Sequence, residues 1–136
     1  MRYVYHDPCH TPIKLYQPLE VVSALTGSQA ALSPRCCGES GTLALSRPDV
    51  STQVRLRKEQ ELRKDVAQQL GGEPGQSVKI LTSCPSCLQG LARFSDDTGA
   101  QADYIVVEMA RRLLGEDWLP EFVRKANAGG IERVLL

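Results

Sequence analysis

The chain has 136 residues, which places it in the size range of a single domain, about 100 to 150 residues, able to bury a substantial core. With 42% apolar and 24% charged residues, the composition excludes a globally disordered chain. Sixteen Lys and Arg balance sixteen Asp and Glu, so there is no net positive field to hold a nucleic acid or an anionic membrane, and neither is expected as a partner.

No stretch approaches the roughly 20 apolar residues that a membrane span needs, and the start Met-Arg-Tyr-Val-Tyr-His lacks the apolar run of a signal peptide. A cytoplasmic protein is expected. In that reducing compartment cysteine more often serves metal binding or redox chemistry than a disulfide framework, and five cysteines, an odd number, agree with that use.

In chain order, Arg2 to Tyr5 reads as a strand ended by His6-Asp7-Pro8, and Cys9 lies just beyond. After Pro12, apolar residues at Leu15, Leu19, Val22 and Leu25 predict a helix stopped near Gly27. A short buried strand, Ala30 to Leu32, leads through Ser33-Pro34-Arg35 to Cys36-Cys37. Beyond Gly38 the pattern predicts a helical turn, Thr42 to Leu45, then a long polar helix from about Val50 to Leu70. That helix has an apolar stripe at Val50, Val54, Leu62, Val66 and Leu70, with the charge run Arg55 to Lys64 on a solvated face.

Val78 to Leu81 reads as a third strand, followed at once by Ser83-Cys84-Pro85-Ser86-Cys87, where proline favours the first turn of a new helix. Asp96 to Gly99 reads as a turn and Ala102 to Ile105 as a fourth strand. Val106, Met109, Ala110, Leu113 and Leu114 predict an amphipathic helix stopped at Gly115. Trp118, Phe122 and Val123 fall on a last helix, where Trp118 and Phe122 are core or a docking face, before the apolar end Ile131 to Leu136.

Strands alternating with helices imply an α/β fold: three layers, a parallel sheet of about four strands, and helices on both faces. Each cysteine cluster begins within a few residues of a strand end, so all should gather at the carboxyl edge of the sheet, where ligands of such folds bind.

The cysteine pattern is Cys9, twenty-six residues, Cys36-Cys37, forty-six residues, then Cys84-x-x-Cys87. A C-x-x-C pair lets two thiolates hold one metal ion or neighbouring irons, and a helix start favours the thiolate. Adjacent Cys36 and Cys37 diverge and so suit different irons of a larger cluster, with Gly38 allowing close backbone approach. Five thiolates exceed the four of a zinc site or a cubane cluster. The competing readings are small buried hydrophobes, a structural zinc site on four of the five, and a thioredoxin-like redox pair. His6 and His10 flank Cys9 and either ligate metal, handle protons or shape the loop, Asp7 either shares in that site or only caps the turn, and Glu39 and Ser40 bond the centre unless Ser40 simply caps the short helix. Arg35 either offsets thiolate charge or is an ordinary solvated arginine.

His6-Asp7-Pro8-Cys9-His10, Cys36-Cys37-Gly38 with Gly41, and Ser83-Cys84-Pro85-Ser86-Cys87 together resemble the CCG, or cysteine-rich, domain of the heterodisulfide reductase family. The same domain occurs in the iron–sulfur subunits of glycolate oxidase, anaerobic glycerol-3-phosphate dehydrogenase and lactate-utilisation complexes. The resemblance spans residues from about 3 to about 114. The extension 116–136 is similar to the C-terminal end of large bacterial FAD-linked oxidases, so residues 1–136 are expected to be one CCG domain within a larger oxidoreductase.

The resemblance implies that Cys9, Cys36, Cys37, Cys84 and Cys87 ligate a noncubane [4Fe–4S] cluster; by their own chemistry and position His6, His10, Gly38 and Arg35 are expected around it. It implies passing electrons or reducing a substrate disulfide, FAD on a separate domain, and flavin-binding and ferredoxin-type domains as partners. Neither a second copy of the domain nor a C-x-x-C-x-x-C-x-x-x-C run occurs here, so the isolated domain is not expected to turn over.

Overall fold

A computed structural model describes residues 1–39 and 42–129. Four strands, β1 (Arg2–His6), β2 (Ala30–Ser33), β3 (Val78–Thr82) and β4 (Gln101–Tyr104), form one sheet in the order β2-β1-β3-β4. Every pairing is parallel, with Tyr3 beside Ala30, Val4 beside Ile80 and Ile80 beside Ala102. The helices are α1 (Pro18–Thr26), α2 (Leu43–Ser46), α3 (Pro48–Leu70), α4 (Pro85–Ala92), α5 (Ser95–Thr98), α6 (Ile105–Leu114) and α7 (Trp118–Ala128).

The period-two alternation of the central strands assigns the layers. Tyr3, Tyr5 and Leu81 pack with Val22 of α1 and Ile105 of α6 on one face. Val4, Val78 and Ile80 pack on the other with Leu62 and Val66 of α3 and Leu91 of α4. A three-layer α/β arrangement with helices on both faces results. From β1 the chain steps to β2 on one side and then crosses to β3 on the other, so the strand order reverses at β1. The carboxyl ends of β1 and β3 flank the crevice that such a reversal opens.

Two expectations about the helices need correction. The first helix does not begin after Pro12: α1 starts at Pro18, and Leu15 is 90% exposed. Gln17 is extended, at φ −69° and ψ 122°, because the proline ring disfavours helical geometry in the residue before it. The charge run of α3 is a solvated face only in part: Arg57, Arg63 and Lys64 are exposed. Lys58 is fully buried, and the inward stripe is Ser51, Lys58, Leu62 and Val66, while Val50 faces solvent.

The remaining elements match within a residue or two, with a one-turn α5 at the expected Asp96–Gly99 turn, but β2 is not the buried strand expected, since Leu32 is 41% exposed. Trp118 is half-buried and Phe122 exposed on α7. Residues Ile131 to Leu136 lie outside the described residues. Among the described residues no helix is long and apolar enough to cross a membrane.

Candidate metal centre

The three cysteine segments follow β1, β2 and β3, and the parallel sheet brings them to one edge. On β1 the alternation that turns Tyr3 and Tyr5 toward α1 and α6 turns His6 toward α3 and α4, where it is buried. On β2, Ser33 ends the strand, and Cys36 and Cys37 diverge. Cys36 is exposed; Cys37 turns into the core. On β3, Thr82 ends the strand, Cys84 occupies the position before the first turn of α4, and Cys87 points inward from that turn.

The inner thiols meet: Cys37 Sγ and Cys87 Sγ lie 3.3 Å apart, although fifty positions separate them in the chain. His6 joins them, and one ligand atom from each of His6, Cys37 and Cys87 falls within 4.8 Å of the others. The outer thiols continue the group. Burial pushes the Cys36 thiol up, a contact from the Gly38 N–H at 3.3 Å opposes this, and neighbouring Cys9 and Cys37 push it further up. Cys84 in turn acts on Cys87. The five sulfurs thus form a contiguous series: Cys9, Cys36, Cys37, Cys87, Cys84.

Their electrostatics follow from this crowding. The Cys37 thiol is lowered to about 4, first by the hydrogen bond with Cys87, against the opposing effect of burial, and then by His6 and the Glu39 backbone N–H. Cys87 is pushed up, first by the same bond to Cys37 and then by burial. The two sulfurs do not titrate independently: loss of the first proton opposes loss of the second.

Soft sulfur donors with an imidazole suit zinc or iron–sulfur chemistry and not magnesium or calcium. The fit is supported by two orphaned groups. His6 Nδ1 and Thr82 Oγ1 are buried without hydrogen-bond partners, one residue beyond the paired Tyr5 and Leu81 on adjacent strands. Buried polar atoms are nearly always satisfied, and a group bound at this edge would give these two a partner.

The other expected residues fall as follows. Cys9 and His10 are exposed. Asp7 Oδ1 accepts a long 3.5 Å bond from the Tyr5 hydroxyl. Gly38 takes φ +79°, the left-handed region that favours glycine, and a side chain there would meet Val54 at 3.2 Å. Arg35 pairs with Glu61 at 3.0 Å. Glu39 binds Arg55 at 3.0 Å and Arg93 at 2.7 Å through its carboxylate. Ser40 and Gly41 lie outside the described residues.

Four neighbours of the site escaped the sequence reading. Lys58 sits beneath Ser33, and its charge acts on Cys37. The Tyr5 hydroxyl lies 3.3 Å from Ser83 Oγ, tying β1 to the Cys84 segment. Thr82 supplies the orphaned hydroxyl. Gly90 in α4 is the one with a readable signal, an isolated glycine inside a helical pattern. A Cβ there would stand 2.5 Å from Glu39 Cγ and 3.5 Å from Cys37 Cβ.

A solvent-open hollow of about 560 Å³ beside this region is lined by Pro34, Arg35, Arg57, Gln60, Glu61, Lys64 and Asp65 and contains none of the thiols. The sulfur group is partly embedded in the core and is not the wall of that hollow.

The chain is thus an all-parallel α/β domain, rich in cysteine, with a His/Cys/Cys group capable of holding metal at the carboxyl edge of its sheet. A family model described as a domain of unknown function (DUF3400) matches residues 92–136, from the end of α4 through the tail, and includes none of the cysteines. No curated protein and no solved structure matches the chain.

Proposed function

We propose that this chain is an iron–sulfur electron-transfer domain of the CCG type, with Cys9, Cys36, Cys37, Cys84 and Cys87 holding a noncubane [4Fe–4S] cluster. The observation that carries the reading is the convergence of Cys37, Cys87 and His6 from three strand ends, with Cys9, Cys36 and Cys84 continuing the sulfur series outward. When bound, the cluster would supply one-electron chemistry. The chain's own part is to preorganise thiolates and to bury the inner half of the centre. His6, an added donor within 4.8 Å of both inner sulfurs, is a ligand or a proton-holding neighbour.

In this reading the substrate is oxidised elsewhere, on an FAD-carrying domain of the same enzyme acting on a 2-hydroxy acid such as lactate or glycolate. Electrons pass onward through flavin-binding and ferredoxin-type partner domains in the cytoplasm. Anaerobic purification with iron and acid-labile sulfide analysis and electron paramagnetic resonance tests the proposal. About four irons per chain support it; metal-free protein or stoichiometric zinc counts against it.

A second reading, a non-catalytic interaction module held by structural zinc, is favoured by the compactness of the His6, Cys37 and Cys87 group. A fourth thiolate would complete a tetrahedral mixed imidazole–thiolate site. Chelation separates the two, because removing a structural zinc unfolds a domain that depends on it.

A further inference from the structure

Two thiols in contact lie outside the C-x-x-C spacing. Cys37 Sγ is 3.3 Å from Cys87 Sγ, joining the segment after β2 to the first turn of α4. We propose that Cys37 and Cys87 form a redox modification site: in the metal-free chain, hydrogen peroxide joins these two sulfurs as a disulfide in preference to Cys84–Cys87. The pair is shared with the proposed metal centre, yet its oxidation requires no metal.

Bond formation must close the sulfurs from 3.3 Å to about 2.05 Å, a movement of little more than 1 Å. Cys87 is fixed in a helix, whereas Cys37 lies in irregular chain next to Gly38, so the movement falls on the loop. Gly90 presents no side chain to Cys37, where a Cβ would stand 3.5 Å from Cys37 Cβ, and the Glu39 side chain packs alongside. Cys36 faces solvent and interacts with Cys9, so it does not compete for Cys87. Both inner residues are buried, which disfavours bulky disulfide oxidants relative to a small peroxide.

The chemistry balances. One sulfur attacks a peroxide oxygen, the O–O bond breaks, water leaves, and a sulfenic acid remains. The second sulfur attacks that oxidised sulfur, the S–O bond breaks, and a second water leaves with the remaining thiol proton. Two thiols and one hydrogen peroxide give one disulfide and two waters. Two donors of the buried group are thereby withdrawn, so oxidation before loading blocks the metal site.

The test uses the full chain, stripped of metal by a chelator under reductant, exchanged anaerobically, and treated with one equivalent of hydrogen peroxide. After alkylation of free thiols, tryptic peptides 36–55 and 80–93 should be joined to each other without reduction. The link should persist in C36S and C84S and vanish in C37S and C87S. A bond confined within peptide 80–93, or a cross-link surviving in C37S, overturns the proposal. Zinc titration of the two forms adds a second arm: the oxidised chain should bind zinc at least tenfold more weakly than the reduced chain, and equal binding overturns the blocking claim. If the reduced chain takes up neither zinc nor iron while the cross-link forms, the metal reading fails alone. If it loads metal and peroxide gives no 37–87 link, this inference fails alone.

Discussion

Lys58 Nζ donates to Ser33 Oγ at 2.6 Å, joining the middle of α3 to the end of β2 in a place with no solvent exposure. Its ammonium also reaches Glu61 Oε1 at 3.1 Å, and Glu61 is held below the usual carboxylate range because its hydrogen bonds and Lys58 outweigh its burial. Burial lowers the Lys58 pKa while Glu61 opposes this, so the lysine depends on that carboxylate for its charge.

The dependence is unequal, which gives an ordering of two variants. Without Lys58, Glu61 retains Arg35 and the Ser33 hydroxyl, so Lys58→Met should cost about 1–3 kcal/mol. Without Glu61, the ammonium keeps a hydroxyl and a distant carbonyl, and Asp65 nearby is itself pushed up by burial. Glu61→Gln should therefore cost more, roughly 3–5 kcal/mol. Urea unfolding measures both, and the reverse order would refute this account of the pair.

Gly90→Ala sets two effects against each other. Alanine gains up to about 1 kcal/mol of helix propensity over glycine. Its Cβ, however, enters space held by Glu39 Cγ, whose carboxylate is fixed by Arg55 and Arg93, and overpacking of this kind costs typically about 1–3 kcal/mol. The net expectation is a lower melting temperature together with weakened metal uptake, because Cys37 stands beside the new methyl group. A thermal melt that shows stabilisation would mean Glu39 moves aside freely.

Much of this site was readable from spacing: Cys9, Cys36 and Cys84 each follow a strand, and a parallel sheet leaves such residues no other edge. What spacing could not convey was depth. Cys36 and Cys37 look identical in sequence, yet one faces solvent and the other the core, and adjacency says that they diverge without saying which turns inward. Lys58 was hidden for a related reason, since in the densely charged run from Arg55 to Lys64 nothing marks the one residue that lies under Ser33. The late start of α1 was the opposite case. Pro18 carried the signal openly, and the Leu15 periodicity outweighed it wrongly.

On the opposite side of the fold, Glu108 accepts from Tyr3 Oη at 2.9 Å and from Lys79 Nζ at 2.8 Å, and stability should depend on pH through this group. Hydrogen bonds from Lys79 and Tyr3 outweigh burial and depress the Glu108 pKa below its ordinary value of 4.5. Its stabilisation is thus fully present above about 4.5 and is lost as pH falls through the folded value. Tyr3 has the opposite sign: burial, then Glu108, pushes it up to about 12, so its contribution holds below 10 and is lost as pH rises toward 12. Urea midpoints across pH should fall at both ends. Glu108→Gln should flatten the acid limb and Tyr3→Phe the alkaline limb; unchanged limbs would remove these groups from the account.

The thiols divide by depth, and metal binding should divide with them. Cys37→Ser and Cys87→Ser remove buried donors whose places no solvent-facing residue can fill, so each should abolish stoichiometric metal. His6→Ala should weaken binding by about 10–100-fold if the imidazole only orients a ligand, and should abolish stoichiometric metal, like the two cysteine variants, if it ligates. His10→Ala, at an exposed position, should change nothing. Cys9→Ser is the decisive variant between the two proposed centres. A cluster that uses all five sulfurs loses a ligand and should lose iron on gel filtration, whereas zinc held by His6, Cys37, Cys87 and Cys84 should remain bound. Metal analysis of the purified variants by mass spectrometry reads these outcomes directly, and iron retained undiminished in Cys9→Ser would exclude Cys9 from the ligand set.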